Sequence, residues 1–231
     1  MTTRPLEKFY KGDDMDDKHP AHIAVMSRYQ ASNIPKVYAG TFLDNSVARE
    51  DQEDIYTLLE KYVATFSTDK QIKDIYLFSI ATGTGKTTTA VALLNEFIRY
   101  RFVYYVKHKR HIPEVIGYFL DLNDIQRRYN MASMSKNTEA IGDLTSLIEE
   151  CMTYDFLVID DIGVRDATES FRSIVHALIN HRLINGLPTV FTSNVKIQDL
   201  KHIFDDRLYD RIKDRVVVMP FKGDSKRGGI I

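Results

Sequence analysis

Residues 79–89 read Ser-Ile-Ala-Thr-Gly-Thr-Gly-Lys-Thr-Thr-Thr, between an apolar run at 75–79 and apolar residues at helical spacing through Ala90, Leu93, Leu94 and Phe97. Strand, glycine-bearing loop, helix is the order that a phosphate-binding loop requires. Gly83 and Gly85 let the backbone wrap closely around an anion, because a Cβ there blocks both the turn and the approach. The expected cradle is Thr82, Gly83, Thr84, Gly85, Lys86, Thr87 and Thr88. Its amides from Gly85 onward and the positive end of the helix dipole favour a triphosphate, with Lys86 reaching the β and γ phosphates and the Thr87 hydroxyl serving Mg²⁺. ATP or GTP is the expected ligand. The full pattern G-x-x-x-x-G-K-[ST] wants glycine at position 80, where this chain has Ile80.

A second signal lies about 75 residues after Lys86, where 155–163 reads Asp-Phe-Leu-Val-Ile-Asp-Asp-Ile-Gly. An apolar strand ending in paired carboxylates puts Asp160 where it can hold Mg²⁺ beside Thr87, and Asp161 where it can orient or activate the water that attacks the γ phosphate. Alone, such a string also serves as a strand cap. The two motifs together point to an α/β P-loop NTPase.

Composition bounds the rest. The 231 residues suffice for one α/β domain of about 190 residues plus a short appendage. Lys and Arg number 31 against 32 Asp and Glu, so the net charge of −1 excludes a globally basic nucleic-acid binder and confines any DNA contact to a local patch. A single cysteine, Cys151, leaves no internal disulfide and no cysteine-based metal site. The N-terminal stretch is polar, unlike a signal peptide, and no uncharged run reaches membrane-spanning length, so a cytoplasmic, membrane-free protein is expected.

Along the chain, residues 1–20, with Asp13, Asp14, Asp16 and Asp17, read as a flexible arm. A short helix at 22–31, with Ile23, Met26 and Tyr29 at helical spacing, packs on its own domain or on a partner. The expected division is an arm over 1–35 and the ATPase domain over 36–231. A helix over 50–66 turns Ile55, Leu58, Leu59, Tyr62 and Val63 inward, and further helices follow the loop and occupy 123–129 and 140–151. Thr168 is an N-cap for a helix closed by Gly186. Strands at 75–79, 118–122, 156–160, 188–192 and 216–219, alternating with helices, predict a parallel sheet of about five strands with helices on both faces.

The fourth strand runs into Phe191-Thr-Ser-Asn194, at the end of the sheet where α/β ligands bind. Asn194 there touches the γ phosphate or its attacking water, or else forms an Asx turn. Arg207 and Arg211, four apart in Asp-Arg-Leu-Tyr-Asp-Arg-Ile, share a helical face. They meet a phosphate on a neighbouring subunit, or form a solvated face paired with Asp206 and Asp210. For DNA, the densest basic positions are Lys107, Lys109 and Arg110, and Arg127 and Arg128, with Tyr104, Tyr105 and Tyr129 beside them as stacking surfaces; the alternative is a solvated helix end with tyrosines in the core.

This order of motifs resembles the AAA+ ATPases of the DnaC/DnaI helicase-loader group, over roughly 33–227. The likeness includes Ile34, Pro35, Tyr38 and Phe42 at its start, and Arg-Leu-Tyr-Asp-Arg-Ile followed by Phe-Lys-Gly-Asp-Ser-Lys-Arg at its end. IstB-type transposition helper ATPases share nearly the same pattern. The resemblance implies an AAA+ core without a separate C-terminal lid domain, Mg-ATP held by the loop and Asp160, γ-phosphate sensing by Asn194, and Arg211 acting on ATP of the adjacent protomer. It further implies slow ATP hydrolysis, assembly into an open ring or spiral, binding of single-stranded DNA, and delivery of a hexameric DnaB-type helicase during replication initiation. The stretch 122–150 corresponds to a helical insertion used on DNA or neighbours. Ile80, the extended 100–113 segment and the short N-terminal arm depart from the pattern. A transposition helper, a regulatory nucleotide switch with little hydrolysis and a nucleotide kinase are the competing readings; a kinase needs a lid that supplies arginines to a second phosphoryl acceptor.

Overall fold

The computed structural model describes residues 20–68, 71–163 and 167–223. Helix α1 (Pro20–Ala31) precedes α2 (Glu53–Val63) and β1 (Asp74–Phe78). There follow α3 (Lys86–Lys107), β2 (Gly117–Asp121), α4 (Leu122–Met134), α5 (Thr138–Cys151), β3 (Phe156–Asp160), α6 (Glu169–Asn185), β4 (Thr189–Ser193), α7 (Leu200–Ile203), α8 (Asp206–Arg215) and β5 (Val216–Pro220). The strands form one sheet in the order β2-β3-β4-β1-β5, every pair parallel. Among the described residues no helix is long and apolar enough to cross a membrane.

Parallel strands need both faces covered, and the two-residue period of the strands supplies two cores. Ile75 and Leu77 of β1, Phe156 and Val158 of β3 and Val190 of β4 face α1, α2 and α3. Tyr76, Leu157, Ile159 and Phe191 face α4, α5, α6 and α8. Phe97, near the middle of α3, stacks on Phe156 with ring centroids 4.5 Å apart, and Phe66 meets both edge-on. Truncating such a ring costs about 3–5 kcal/mol, so this contact anchors α3 to the sheet. Local signals fix the ends of α6: the Thr168 hydroxyl accepts from the Phe171 amide, and Gly186 takes a left-handed φ of 67°.

Three details of the inward faces bear on the sequence reading, and the one in α2 departs from it. In α2, Leu58 is exposed and Tyr56 is buried, because the helix rolls so that the Tyr56 hydroxyl reaches Ser46 and Thr89, at 2.5 and 2.8 Å. In α1, Ile23 and Met26 are exposed, and the helix seats on α3 through Val25. Arg28 donates to the Pro113 carbonyl at 3.1 Å, and the chain behind α1 caps the outer edge of β2: Phe119 N–H donates to Ser32 O, and Asn33 Nδ2 to Phe119 O, both at 2.9 Å. The edge strand is thereby blunted. The third detail is in the last turns of α3, where Tyr104 and Tyr105 are buried. The acidic cluster of the expected arm lies outside the described residues.

Candidate nucleotide site

The loop after β1 turns through two glycines in left-handed conformations, Gly83 at φ 72° and Gly85 at φ 94°. At Gly85 the requirement is also steric: a Cβ there would sit 2.4 Å from Cβ of Ala48, which packs against the loop. Ile80 is not among the positive-φ residues and is 72% exposed, so the turn closes without glycine at that position. Lys86, first residue of α3, is buried and folds its ammonium onto the loop, donating to the Ala81 carbonyl at 3.0 Å and the Ser79 carbonyl at 3.4 Å.

The parallel register brings β3 and β4 to the same place. Thr87 Oγ1 lies 3.0 Å from Oδ1 of Asp160 and 3.3 Å from Oδ2. Thr192 donates to Asp160 Oδ1 at 2.6 Å and accepts the Asp161 amide at 3.0 Å. Asp161 takes a left-handed φ of 58°, and its Oδ2 accepts from Asn123 Nδ2 at 3.0 Å. Asp121, across from Asp160 in the β2–β3 register, completes a set of three carboxylates. Burial first, then repulsion from Asp161 and Asp121, pushes the Asp160 carboxyl up to about 6, against the hydrogen bonds from Thr192 and Thr87.

Whether a Mg-triphosphate fits is answered by two buried atoms, Thr84 Oγ1 in the loop and Asn194 Oδ1 after β4, which have no hydrogen-bond partner in the protein. Buried polar atoms are nearly always paired, so a polar ligand bound at this end of the sheet would complete both. Among the described residues no group of three His, Cys, Asp or Glu side chains is disposed to hold a metal, so the three neighbouring carboxylates do not form a cage of their own. One carboxylate plus one hydroxyl suits Mg²⁺, which takes hard oxygen donors and usually borrows the rest from phosphates and water.

The structure therefore brings Lys86, Thr87, Asp160, Asp161 and Asn194 to the carboxyl ends of β1, β3 and β4, where the chain crosses between faces of the sheet. Arg207 and Arg211 take no part in the hydrogen bonds that join that cluster. Both are exposed on α8, and Arg211 bonds Asn180 on α6.

The basic positions separate further. Lys107, Lys109 and Arg110 are exposed at the C-terminal end of α3, the far end from the loop. The tyrosines beside them do not offer free faces. Tyr104 carries the His108 ring at 4.1 Å and the Arg101 and Arg110 guanidinium groups over it, and the Tyr105 hydroxyl bonds Asp155. On α4, Arg127 and Arg128 both pair with Asp124, and Tyr129 packs on Phe171, with centroids 5.7 Å apart.

Thr192, Asn123, Asp121 and Ala48 belong to the site without having been singled out. Thr192 stands inside Phe-Thr-Ser-Asn, two residues before Asn194, and strand alternation alone could have turned it toward Asp160. Asn123 and Asp121 lie in the turn from β2 into α4, whose position beside β3 depends on strand order.

Residues 118–228 match the family described as IstB-like ATP binding protein. The replicative helicase loader DnaC of Escherichia coli K12 is 24% identical over 186 residues, covering 80% of this chain and 68% of that protein. DnaI of Bacillus subtilis is 22% identical over 165 residues, covering 71% and 47%. Among solved structures, the DnaC helicase loader superposes with a TM-score of 0.59 at 22% identity, over 81% of this chain and all of that one. AMPPCP-bound DnaA from Aquifex aeolicus superposes at 0.57 and 16%, over 80% and 51%. The chain thus has the AAA+ P-loop fold, and in sequence and architecture it is similar to the DnaC- and DnaI-type helicase loaders and to the IstB-like ATP binding proteins.

Proposed function

We propose that this chain is an ATP-hydrolysing helicase loader of replication initiation, which binds Mg-ATP and single-stranded DNA and delivers a DnaB-type hexameric helicase. The observation that carries the reading is the convergence of Lys86, Thr87, Asp160, Asp161 and Asn194 on one end of the sheet, with unpartnered Thr84 and Asn194 atoms beside them. In this reading Lys86 exchanges its loop carbonyls for the β and γ phosphates. Thr87 and Asp160 would hold Mg²⁺, which when bound would supply neutralisation of the phosphate charge. Asp161 orients the attacking water, and Asn194 contacts the γ phosphate. Arg211, aided by Arg207, serves the ATP of a neighbouring protomer in a ring or spiral; their exposure on one helix supports that assignment. Loss of the γ phosphate then releases the interface, a timing switch.

Single-stranded DNA is assigned to Lys107, Lys109 and Arg110. Arg127 and Arg128 share the Asp124 carboxylate on their own helix, which reduces their charge toward a second ligand. Neutralising the α3 end should weaken single-strand affinity and lower its salt slope, whereas neutralising Arg127 and Arg128 should do less.

Mixing of variants tests the core of the proposal. Lys86→Ala abolishes ATP binding, and Arg211→Ala preserves it but lowers hydrolysis and ATP-dependent assembly; mixed, folded and co-assembling, the two should recover part of the activity. No recovery removes the trans assignment. The match over 118–228 favours one other reading, a transposition helper. Capture by a purified replicative helicase, against capture by a transposase, separates the two.

A further inference from the structure

Thr192 is 1% exposed, next to last in β4, and its single hydroxyl makes two bonds of opposite sense. It gives its proton to Asp160 Oδ1 at 2.6 Å and accepts the Asp161 N–H at 3.0 Å, while its carbonyl accepts the Ile162 N–H at 3.0 Å. One residue thus holds three consecutive positions of the turn that carries both carboxylates. The next residue, Ser193, accepts the Ser79 amide at 3.2 Å, at the root of the phosphate loop, and Asn194 follows it. We propose that Thr192 is a positioning residue for metal binding: its hydroxyl fixes the rotation of the Asp160 carboxylate toward Thr87 and holds Asp161 in its left-handed turn.

The chemistry favours this over a merely space-filling threonine. A buried hydroxyl could satisfy itself on a strand carbonyl, yet this one donates to the Asp160 carboxylate at 2.6 Å, the shorter of the two hydroxyl contacts that Oδ1 receives. Without it, Oδ1 of Asp160 keeps only the longer contact to Thr87, the carboxylate is free to rotate, and the Asp161 amide is left unsatisfied. Groups that orient a metal ligand from behind are commonly worth about 10–100-fold in metal affinity.

The inference rests on the nucleotide site proposed above, and its test keeps the two separable. Binding of a fluorescent, non-hydrolysable ATP analogue to the full chain is measured in EDTA and across a Mg²⁺ titration, for the native protein, Thr192→Val and Thr192→Ser. Thr192→Val should keep its metal-free analogue affinity within about threefold and need about 10–100 times more Mg²⁺ for half-maximal enhancement. Thr192→Ser, which retains the hydroxyl, should stay near native. If valine destabilises the fold, Thr192→Cys, similar in size with a weak donor, gives the same comparison and should also need more Mg²⁺. An unchanged Mg²⁺ midpoint in a hydroxyl-lacking variant overturns the role, as does equal loss of metal-free and metal-dependent binding in the valine and serine variants. A native chain that binds no analogue under either condition overturns the site, and the inference falls with it.

Discussion

The sheet carries a buried polar cluster at each end, and the two are built to opposite standards. At the amino ends of β1 and β4, Arg182 is 1% exposed and donates to the carbonyls of Cys151, Tyr154 and Pro188 and to the Thr189 hydroxyl, at 2.7–2.9 Å. Buried Asp74 accepts from the Thr189 amide at 2.8 Å and from Arg215 at 3.2 Å. Burial lowers the Arg182 guanidinium to about 10 and raises the Asp74 carboxyl, but both clusters of bonds close on themselves. At the carboxyl ends, three carboxylates crowd together, two polar atoms lack partners, and Lys86 donates to the Ala81 and Ser79 carbonyls. A satisfied network specifies a fold; an unfinished one specifies a ligand.

Breaking the finished end should cost the most. Arg182→Met leaves several acceptors unpaired in the core and should lower unfolding free energy by about 3–5 kcal/mol in denaturant titration, with ATP affinity of the remaining folded protein unchanged. A loss under about 1 kcal/mol would erase the contrast between the ends. Lys86→Ala should leave the unfolding midpoint nearly native and weaken ATP binding at least about 100-fold, read by direct titration; unchanged affinity would sink the site.

The sign of the pH effect sharpens the comparison next. Asp160 binds its proton more tightly folded, at about 6, than unfolded, at 3.8. Its contribution therefore lets stability fall as pH rises from about 4 to 6, and the full cost persists above that window. Asp160→Asn should raise the thermal midpoint of the nucleotide-free chain at pH 7–8, by about 1–3 kcal/mol equivalent, and flatten the pH dependence between 4 and 6. No gain at pH 7 would show the carboxylate to be already compensated. The smallest effect belongs to Ile80→Gly. The side chain is exposed and φ is unexceptional, so stability should change by less than about 1 kcal/mol and ATP affinity by less than about threefold. A larger gain in affinity would mean that Ile80 hinders the ligand.

The finished end was silent in the sequence, while the unfinished one announced itself. Phosphate loops are contiguous in the chain, so residues 82–88 could be read directly, as could the carboxylate pair at the end of β3. Asp74, Thr189, Arg182 and Arg215 are scattered over more than 140 positions and meet only after the strands take their order. The same reason hid Thr192 and Asn123, which matter through cross-strand register and not through local pattern. The strands were legible because apolar runs bounded by turns are local. The roll of α1 and α2 was not, because alternative apolar stripes, Leu58 against Tyr56 or Ile23 against Val25, differ only in what they meet. Tyr104 and Tyr105 could not be divided between stacking surface and core from the sequence, because an aromatic beside a basic run looks the same whether it stacks on its own chain or waits for a base.

Helix α3 has 22 residues, a rod of about 33 Å. Its first residue is Lys86, its last is Lys107, and it is pinned near the middle by Phe97 against Phe156. Burial is not confined to that contact: it runs from Thr89 to Ile98 and resumes at Phe102, Tyr104 and Tyr105. The rod is therefore a strut, close-packed along its length, that holds the phosphate loop at one tip and the exposed basic residues beyond the other at a fixed separation.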